Sequence, residues 1–333
     1  MIGVQEQTEA RTLAPAVAAT DGGRGELDAR RLTRPAPPGE SAADVSWTGS
    51  DAAPADQAER LRRLVRQTDG RARVLAVTSG KGGVGKTNVA ANLALCLCAA
   101  GKRVILLDAD LGLANLDVLL PVRARANLSQ VIAGQRRLAE ILTPGPGGLQ
   151  MICGASGLTH LEELSEFQRR QLLQDLATLE RLADLIVIDT AAGIGPNVIS
   201  FCQAADHTLV VTTPEPTSLA DAYAMIKTLT RRGSRRLSLL VNLVEDRSQA
   251  KHVYEKIAAT AQRFLHATVA NAGYVVRDEH VPQAVRRRQP VVLAYPRCPA
   301  AECFLALAQK LSRARLAPPT PDGFFRRLWT WFT

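Results

Sequence analysis

The run Gly80-Lys81-Gly82-Gly83-Val84-Gly85-Lys86-Thr87 carries the clearest chemistry in the chain. Its spacing satisfies G-x-x-x-x-G-K-[ST], a loop whose backbone N–H groups wrap a polyphosphate. In such a loop Lys86 reaches the outer phosphates and the Thr87 hydroxyl holds Mg²⁺. Lys81 is a second cation that the pattern does not require, and it asks for a use of its own. A glycine-rich turn without a ligand is the bland alternative; the full spacing and both flanks argue against it.

Two further stretches end in acids. Val104-Ile105-Leu106-Leu107-Asp108-Ala109-Asp110 reads as a buried strand whose Asp108 and Asp110 share one side of an extended chain. One carboxylate suits a metal shell and the other suits an attacking water; a turn-forming Asp is the structural alternative. Leu185-Ile186-Val187-Ile188-Asp189 ends the same way. Four apolar residues and then Asp is the pattern of an acid that supports Mg²⁺ in phosphate-loop enzymes. Gly193 follows, where a flexible backbone lets a loop approach a γ-phosphate. The late strand ending Val241-Asn242-Leu243-Val244-Glu245 has no Lys or Asp in register for reading guanine. That favours adenine, with Asn242 a candidate for its amino edge and an ordinary turn residue as the alternative. The expected ligands are therefore ATP and Mg²⁺.

These residues need elements to hold them. Val74–Ser79 is a short apolar run typical of a buried parallel strand. Val89, Leu93 and Leu97 then mark a helix that runs to a C-cap at Gly101. Strand, loop and helix in that order place an anion at a helix N-terminus. Further strands are expected at 103–108, 149–153, 184–189, 207–213, 237–244 and 273–276, with helices at 166–181, 216–231, 248–265 and 300–313. The alternation predicts an α/β fold: a mostly parallel, twisted sheet with helices on both faces.

Composition bounds the rest. The 333 residues are 46% hydrophobic, enough for one large core or two modest ones. There is no run of about 18 apolar residues and no secretory leader in Met1–Gln7, so a cytoplasmic protein is expected. Cys96, Cys98, Cys153, Cys202, Cys298 and Cys303 form no C-x-x-C pair and read as reduced, mostly buried thiols rather than metal ligands or disulfides. Net charge is +9, with clusters at Arg231, Arg232, Arg235, Arg236 and at Arg286–Arg288. They suit an anionic surface or simply solvated helix ends, and no aromatic interleaving suggests single-strand stacking.

The ends differ from the middle. Residues 1–54 have a disordered composition, rich in Ala, Pro and Gly without periodicity. Residues 55–68 hold a short helical pattern capped by Asp56, with Leu61, Leu64 and Val65 on one face. The main domain covers 70–315, and a proline-rich linker covers 316–321. In 322–333, Phe324, Phe325, Leu328, Trp329, Trp331 and Phe332 fill one helical arc, with Arg326, Arg327, Thr330 and Thr333 opposite and Asp322 as cap. This reads as an interfacial membrane anchor. Packing into a groove of its own domain is the alternative, which the proline linker disfavours.

The run Lys81–Thr87, the Asp108–Asp117 stretch and Asp189–Ile194 together resemble the deviant Walker A ATPases of the MinD/ParA type, over about residues 73 to 314. The resemblance implies a three-layer P-loop NTPase of the SIMIBI type that forms an ATP-dependent sandwich homodimer. It implies that Gly80, Lys81, Gly82, Gly83, Val84, Gly85, Lys86, Thr87 and Asn88 line the nucleotide. Lys81 would reach the partner's phosphates and Lys86 would serve its own. Asp110 would orient water, and Thr87, Asp108 and Asp189 would attend the metal. Asp56-Gln57-Ala58 with Leu61-Arg62 resembles the N-terminal motif of FlhG/FleN-type (YlxH-like) regulators of flagellar number and placement, where it stimulates the signal-recognition-type GTPase FlhF. That branch implies peripheral attachment to the anionic inner membrane, at a pole, in the ATP-bound state. Flagellar C-ring proteins or a flagellar transcription regulator are further candidate partners. A ParA-like ATPase binding DNA nonspecifically and a MinD-like division-site regulator are the alternatives, with DNA disfavoured as a partner.

Overall fold

The computed structural model describes residues 71–110, 116–120, 122, 130–131, 135–153, 166–234, 236–313 and 322–330. The segments 1–54, 55–68 (with Asp56, Gln57 and Leu61) and 316–321, together with Trp331 and Phe332, lie outside the described residues.

An eight-stranded sheet forms the middle layer, in the order β3-β4-β2-β5-β1-β6-β7-β8. Its strands are β1 (Arg73–Ser79), β2 (Val104–Ala109), β3 (Thr143–Pro144), β4 (Gln150–Ile152), β5 (Leu185–Ala192), β6 (His207–Thr212), β7 (Leu237–Val244) and β8 (Val269–Val276). All pairings are parallel except the two-residue β3 against β4. Every expected strand is present. β8 starts four residues earlier than its apolar pattern suggests, because its register against β7 slips near Ala272 and Gly273 holds φ at +129°. The slip resets the alternation on which a strand is recognised.

The helices are α1 (Lys86–Ala99), α2 (Leu116–Leu119), α3 (Leu138–Ile141), α4 (Glu166–Leu182), α5 (Pro196–Ala204), α6 (Pro216–Arg231), α7 (Arg247–Leu265), α8 (His280–Arg286), α9 (Val291–Ala294), α10 (Pro299–Arg313) and α11 (Phe324–Trp329). One apolar cluster joins the sheet to α4–α7 and the other joins it to α1 and α8–α10. Successive residues of β1 alternate between them: Val74 and Ala76 face one, Leu75 and Val77 the other. A strand covered on both faces is apolar throughout, which is why β1, β2 and β5 read as unbroken hydrophobic runs. Helix α1 is apolar around most of its circumference, and it is sandwiched between the sheet and α10. At its end Gly101 has φ +81°, and the amides of Gly101 and Lys102 return to Cys98 and Leu97.

The C-terminal helix corrects one expectation. Phe324, Phe325 and Leu328 of α11 are buried against α4 and α5 of the chain's own domain. Phe324 stacks on Phe201 of α5 with centroids 6.4 Å apart. Two polar anchors complete the seat: Phe325 N donates to Glu180 Oε1 (3.1 Å), and Arg327 Nη2 pairs with Asp206 Oδ1 (2.8 Å). The eight residues between Arg313 and Asp322 span up to about 30 Å, so the linker permits the return. Gly323, at φ +69°, is the N-cap in place of Asp322, which instead lies 3.9 Å from Arg326. A side chain on Gly323 would strike the Glu180 carboxylate. Among the described residues no helix is long and apolar enough to cross a membrane.

Candidate functional site

The C-terminal ends of the parallel strands gather the predicted phosphate loop and both acids. Gly80 lies so close to the Asp221 backbone that any Cβ would collide with it. Gly83 and Gly85 hold φ at +79° and +85°, and a Cβ on Gly85 would come 2.5 Å from the Asn242 amide nitrogen. These positions need glycine for conformation and for space. The chain then enters α1 at Lys86 and directs the first amides of that helix into the loop.

Lys86 and Asp189 form a buried ion pair of 2.7 Å, with side-chain exposures of 8% and 1%. Burial pushes the Asp189 carboxyl up, and Lys86 and the Thr87 hydroxyl oppose that shift. Asp108 stands directly across the β2–β5 ladder from Asp189. Its Oδ1 accepts the Asp110 N–H (3.0 Å), while its Oδ2 is buried without a hydrogen-bond partner among the described residues. Burial, then the neighbouring Asp189 charge, pushes Asp108 up to about 6 against the pull of the Asp110 N–H. Asp110 is half-buried, and its charge acts on both acids.

An unpartnered carboxylate oxygen beside a second acid and a threonine hydroxyl is a hard-oxygen donor set of the kind Mg²⁺ takes. Thr87, Asp108 and Asp189 therefore fit that ion.

Asn242 does structural work. Its Nδ2 donates to the Val84 carbonyl (2.8 Å), which fixes the amide plane and braces the loop from β7. Only the remaining edge of that amide is left to meet a base. The neighbouring Leu243 holds φ at +58°, where β7 slips register against β8. Such a conformation costs a non-glycine residue about 1–3 kcal/mol. Nothing in the local sequence marks it.

Lys81 has partners of its own. Its Nζ bonds Thr217 Oγ1 (2.9 Å) and Glu215 Oε2 (3.2 Å) at the start of α6, where it is partly exposed. Glu215 and Thr217 went unnoticed in the sequence reading. The available signal was positional: they follow β6 at the same end of the sheet as the loop. Behind them Ser218 Oγ binds Thr212 Oγ1 (2.9 Å) and accepts the Thr213 N–H (3.1 Å), which holds the turn rigid. Gly193, φ +92°, ties its N–H to Ser79 O (2.8 Å) and so joins the loop after β5 to the phosphate loop.

The structure thus brings Gly80–Asn88, Asp108, Asp110, Asp189 and Asn242 together. Phe324, Phe325, Leu328 and Trp329 lie at the other end of the strands.

The family model described as the CobQ/CobB/MinD/ParA nucleotide binding domain matches residues 75–291. The antiactivator FleN of Pseudomonas aeruginosa is 44% identical over 251 residues, covering 75% of this chain and 89% of that protein. The flagellum site-determining protein YlxH of Helicobacter pylori is 37% identical over 215 residues, 62% of this chain and 73% of its own length. The crystal structure of the cell division ATPase MinD of Pyrococcus furiosus aligns with a TM-score of 0.58 at 26% identity, over 72% of this chain and 98% of that one.

Proposed function

The chain belongs to the CobQ/CobB/MinD/ParA nucleotide-binding family, and from that premise we propose that it is a dimerising ATPase switch that regulates flagellar number or placement. The observation that carries the flagellar part is its 44% identity to an antiactivator FleN along nearly the whole of that protein. The observation that carries the switch is the second loop lysine, which bonds Glu215 and Thr217 while Lys86 takes Asp189.

The loop backbone from Gly82 to Thr87 binds the phosphates of ATP. Lys86 passes from Asp189 to the outer phosphates, replacing one buried partner by another. Thr87, Asp108 and Asp189 would hold Mg²⁺, which would supply positive charge to the phosphates. Asp110 orients the attacking water. Lys81 exchanges Glu215 and Thr217 for the phosphates across a dimer interface, so charge neutralisation and association become one event. Asn242 keeps the loop in shape and offers its free edge to adenine.

Membrane cycling belongs to the same proposal. The apolar face of α11 is packed away, so it meets lipid only after leaving its groove. Dimerisation would free it, and two helices per dimer would bind more firmly than one. The Asp56–Arg62 motif would engage FlhF and stimulate its GTP hydrolysis.

Vesicle co-sedimentation with ATP or ADP, repeated with FlhF present, tests the mechanism. ATP-dependent pelleting and GTPase stimulation lost in Gln57→Ala are expected; pelleting indifferent to nucleotide refutes the cycle. Counting flagella in a deletion strain tests the role, and an unchanged count and position refutes it.

A further inference from the structure

Beyond the nucleotide site, three chemically distinct side chains converge where β8 ends and α10 begins. Asp278, His280 and Cys298 each offer a ligand atom, and these atoms lie within 4.8 Å of one another. We propose that Asp278, His280 and Cys298 form a binding site for one thiophilic divalent cation, of which Zn²⁺ is the natural occupant.

The carboxylate is already fixed. Asp278 Oδ2 accepts the Ala300 N–H (3.0 Å) at the first turn of α10, and Oδ1 accepts the His280 backbone N–H (2.9 Å). Those bonds hold it well below the usual range, at about 2, against the opposing effect of burial. A helix cap needs no more than this. It does not call for an imidazole and a buried thiol aimed at the same oxygen atoms. Yet His280 Nδ1 lies 2.7 Å from Oδ1, and the Cys298 thiol also bonds the carboxylate. Cys298 is buried, so its sulfur is held against the carboxylate and not free to turn to solvent.

The geometry suits a tetrahedral ion. Zn²⁺ at about 2.0–2.3 Å from N, O and S ligands sets those ligands roughly 3.3–3.8 Å apart. The present separations, 2.7 Å between Nδ1 and Oδ1 and at most 4.8 Å elsewhere, bracket that range, so small side-chain shifts reach it. The proton balance is simple: the thiol proton goes to solvent, Nδ1 gives up any proton it carries, and the imidazole keeps one proton on Nε2. Carboxylate and thiolate then neutralise the dication. His280 is 45% exposed, which leaves a path and a fourth position for water. Its ring is oriented by Tyr295, with centroids 4.7 Å apart. Such support fixes a ligand before the metal arrives.

The ion would tie the β8–α8 turn to α10. Next to that turn, α9 is joined to α1 through Val292 N and Asn92 Oδ1 (3.1 Å). This clamp is separate from Mg²⁺ at the phosphate loop, whose ligands are all oxygens. Cys298 is the free, buried thiol that the sequence suggests, and the proposal gives that thiol a use.

The test uses the untagged full chain, stripped with chelator and titrated with Co²⁺ and then Zn²⁺ in excess Mg²⁺. One Co²⁺ per chain with a sulfur-to-cobalt charge-transfer band is expected, with displacement by Zn²⁺. Cys298→Ser should remove the band, and His280→Gln should weaken binding at least about tenfold. Both variants leave the Asp278 cap intact, and Zn²⁺ should raise the melting temperature of the parent more than that of either variant. No sulfur band, or a band that survives Cys298→Ser, overturns the proposal.

Discussion

Among the described residues Asp108 Oδ2 has no hydrogen-bond partner within bonding geometry, and Asp189 stands opposite, so the carboxylate is easier to bury protonated than charged. With its value raised to about 6, the folded protein keeps a proton that the unfolded chain releases near pH 4. Stability therefore falls as pH rises through about 4 to 6, by up to about 3 kcal/mol from this group. With Mg²⁺ chelated, Asp108→Asn should raise stability at pH 7.5 and flatten that slope in urea titrations, yet weaken Mg²⁺-dependent hydrolysis. A destabilised variant at pH 7.5 would remove the argument. The buried pair beside it should behave oppositely. Lys86→Met leaves Asp189 charged and alone, at a cost of about 3–5 kcal/mol, and a second change, Asp189→Asn, should recover much of it in the same titrations. Residue types and spacing made this cluster legible in advance. The pairing of Lys86 with Asp189 was not, because the two lie 103 positions apart and meet through the pairing of β1 with β5.

Among the elements, α11 shows what a local pattern can and cannot say. Its apolar arc follows from Phe324, Phe325 and Leu328, and the arc is real. Its seat depends on Glu180 and Asp206, which are 145 and 121 residues away. Neither carboxylate advertises a partner in the sequence. Glu180→Leu leaves α11 unaltered but removes the acceptor for Phe325 N, which should weaken the seat by about 1–3 kcal/mol. Faster hydrogen exchange at amides 324–330 is expected, with greater vesicle binding in the absence of ATP. Exchange at the parental rate would show that apolar packing alone holds the helix. Helix α5, between the expected strands 184–189 and 207–213, opens with Pro196 at its first helical position, a normal start.

At the scale of the whole molecule, Lys81→Ala should abolish ATP-dependent dimerisation while nucleotide binding persists, as read by light scattering with a slowly hydrolysed analogue. A dimer that forms regardless would separate the loop lysine from association. Asp110→Ala should accumulate ATP-loaded dimers, and turnover at the parental rate would assign water orientation elsewhere. The layered architecture was evident from the β-α alternation; the return of the last helix to its own domain was not. That return has a geometric consequence. Asp206 takes the Val74 N–H with one oxygen and Arg327 with the other, and Ala72 N donates to the Glu180 carbonyl. Ala72, Val74 and the last helix thus share one patch, separated from the phosphate loop by the seven residues of β1, about 20 Å. The acids that seat the last helix therefore also tether the first strand, so loosening that seat would be felt by the strand that leads to the phosphate loop.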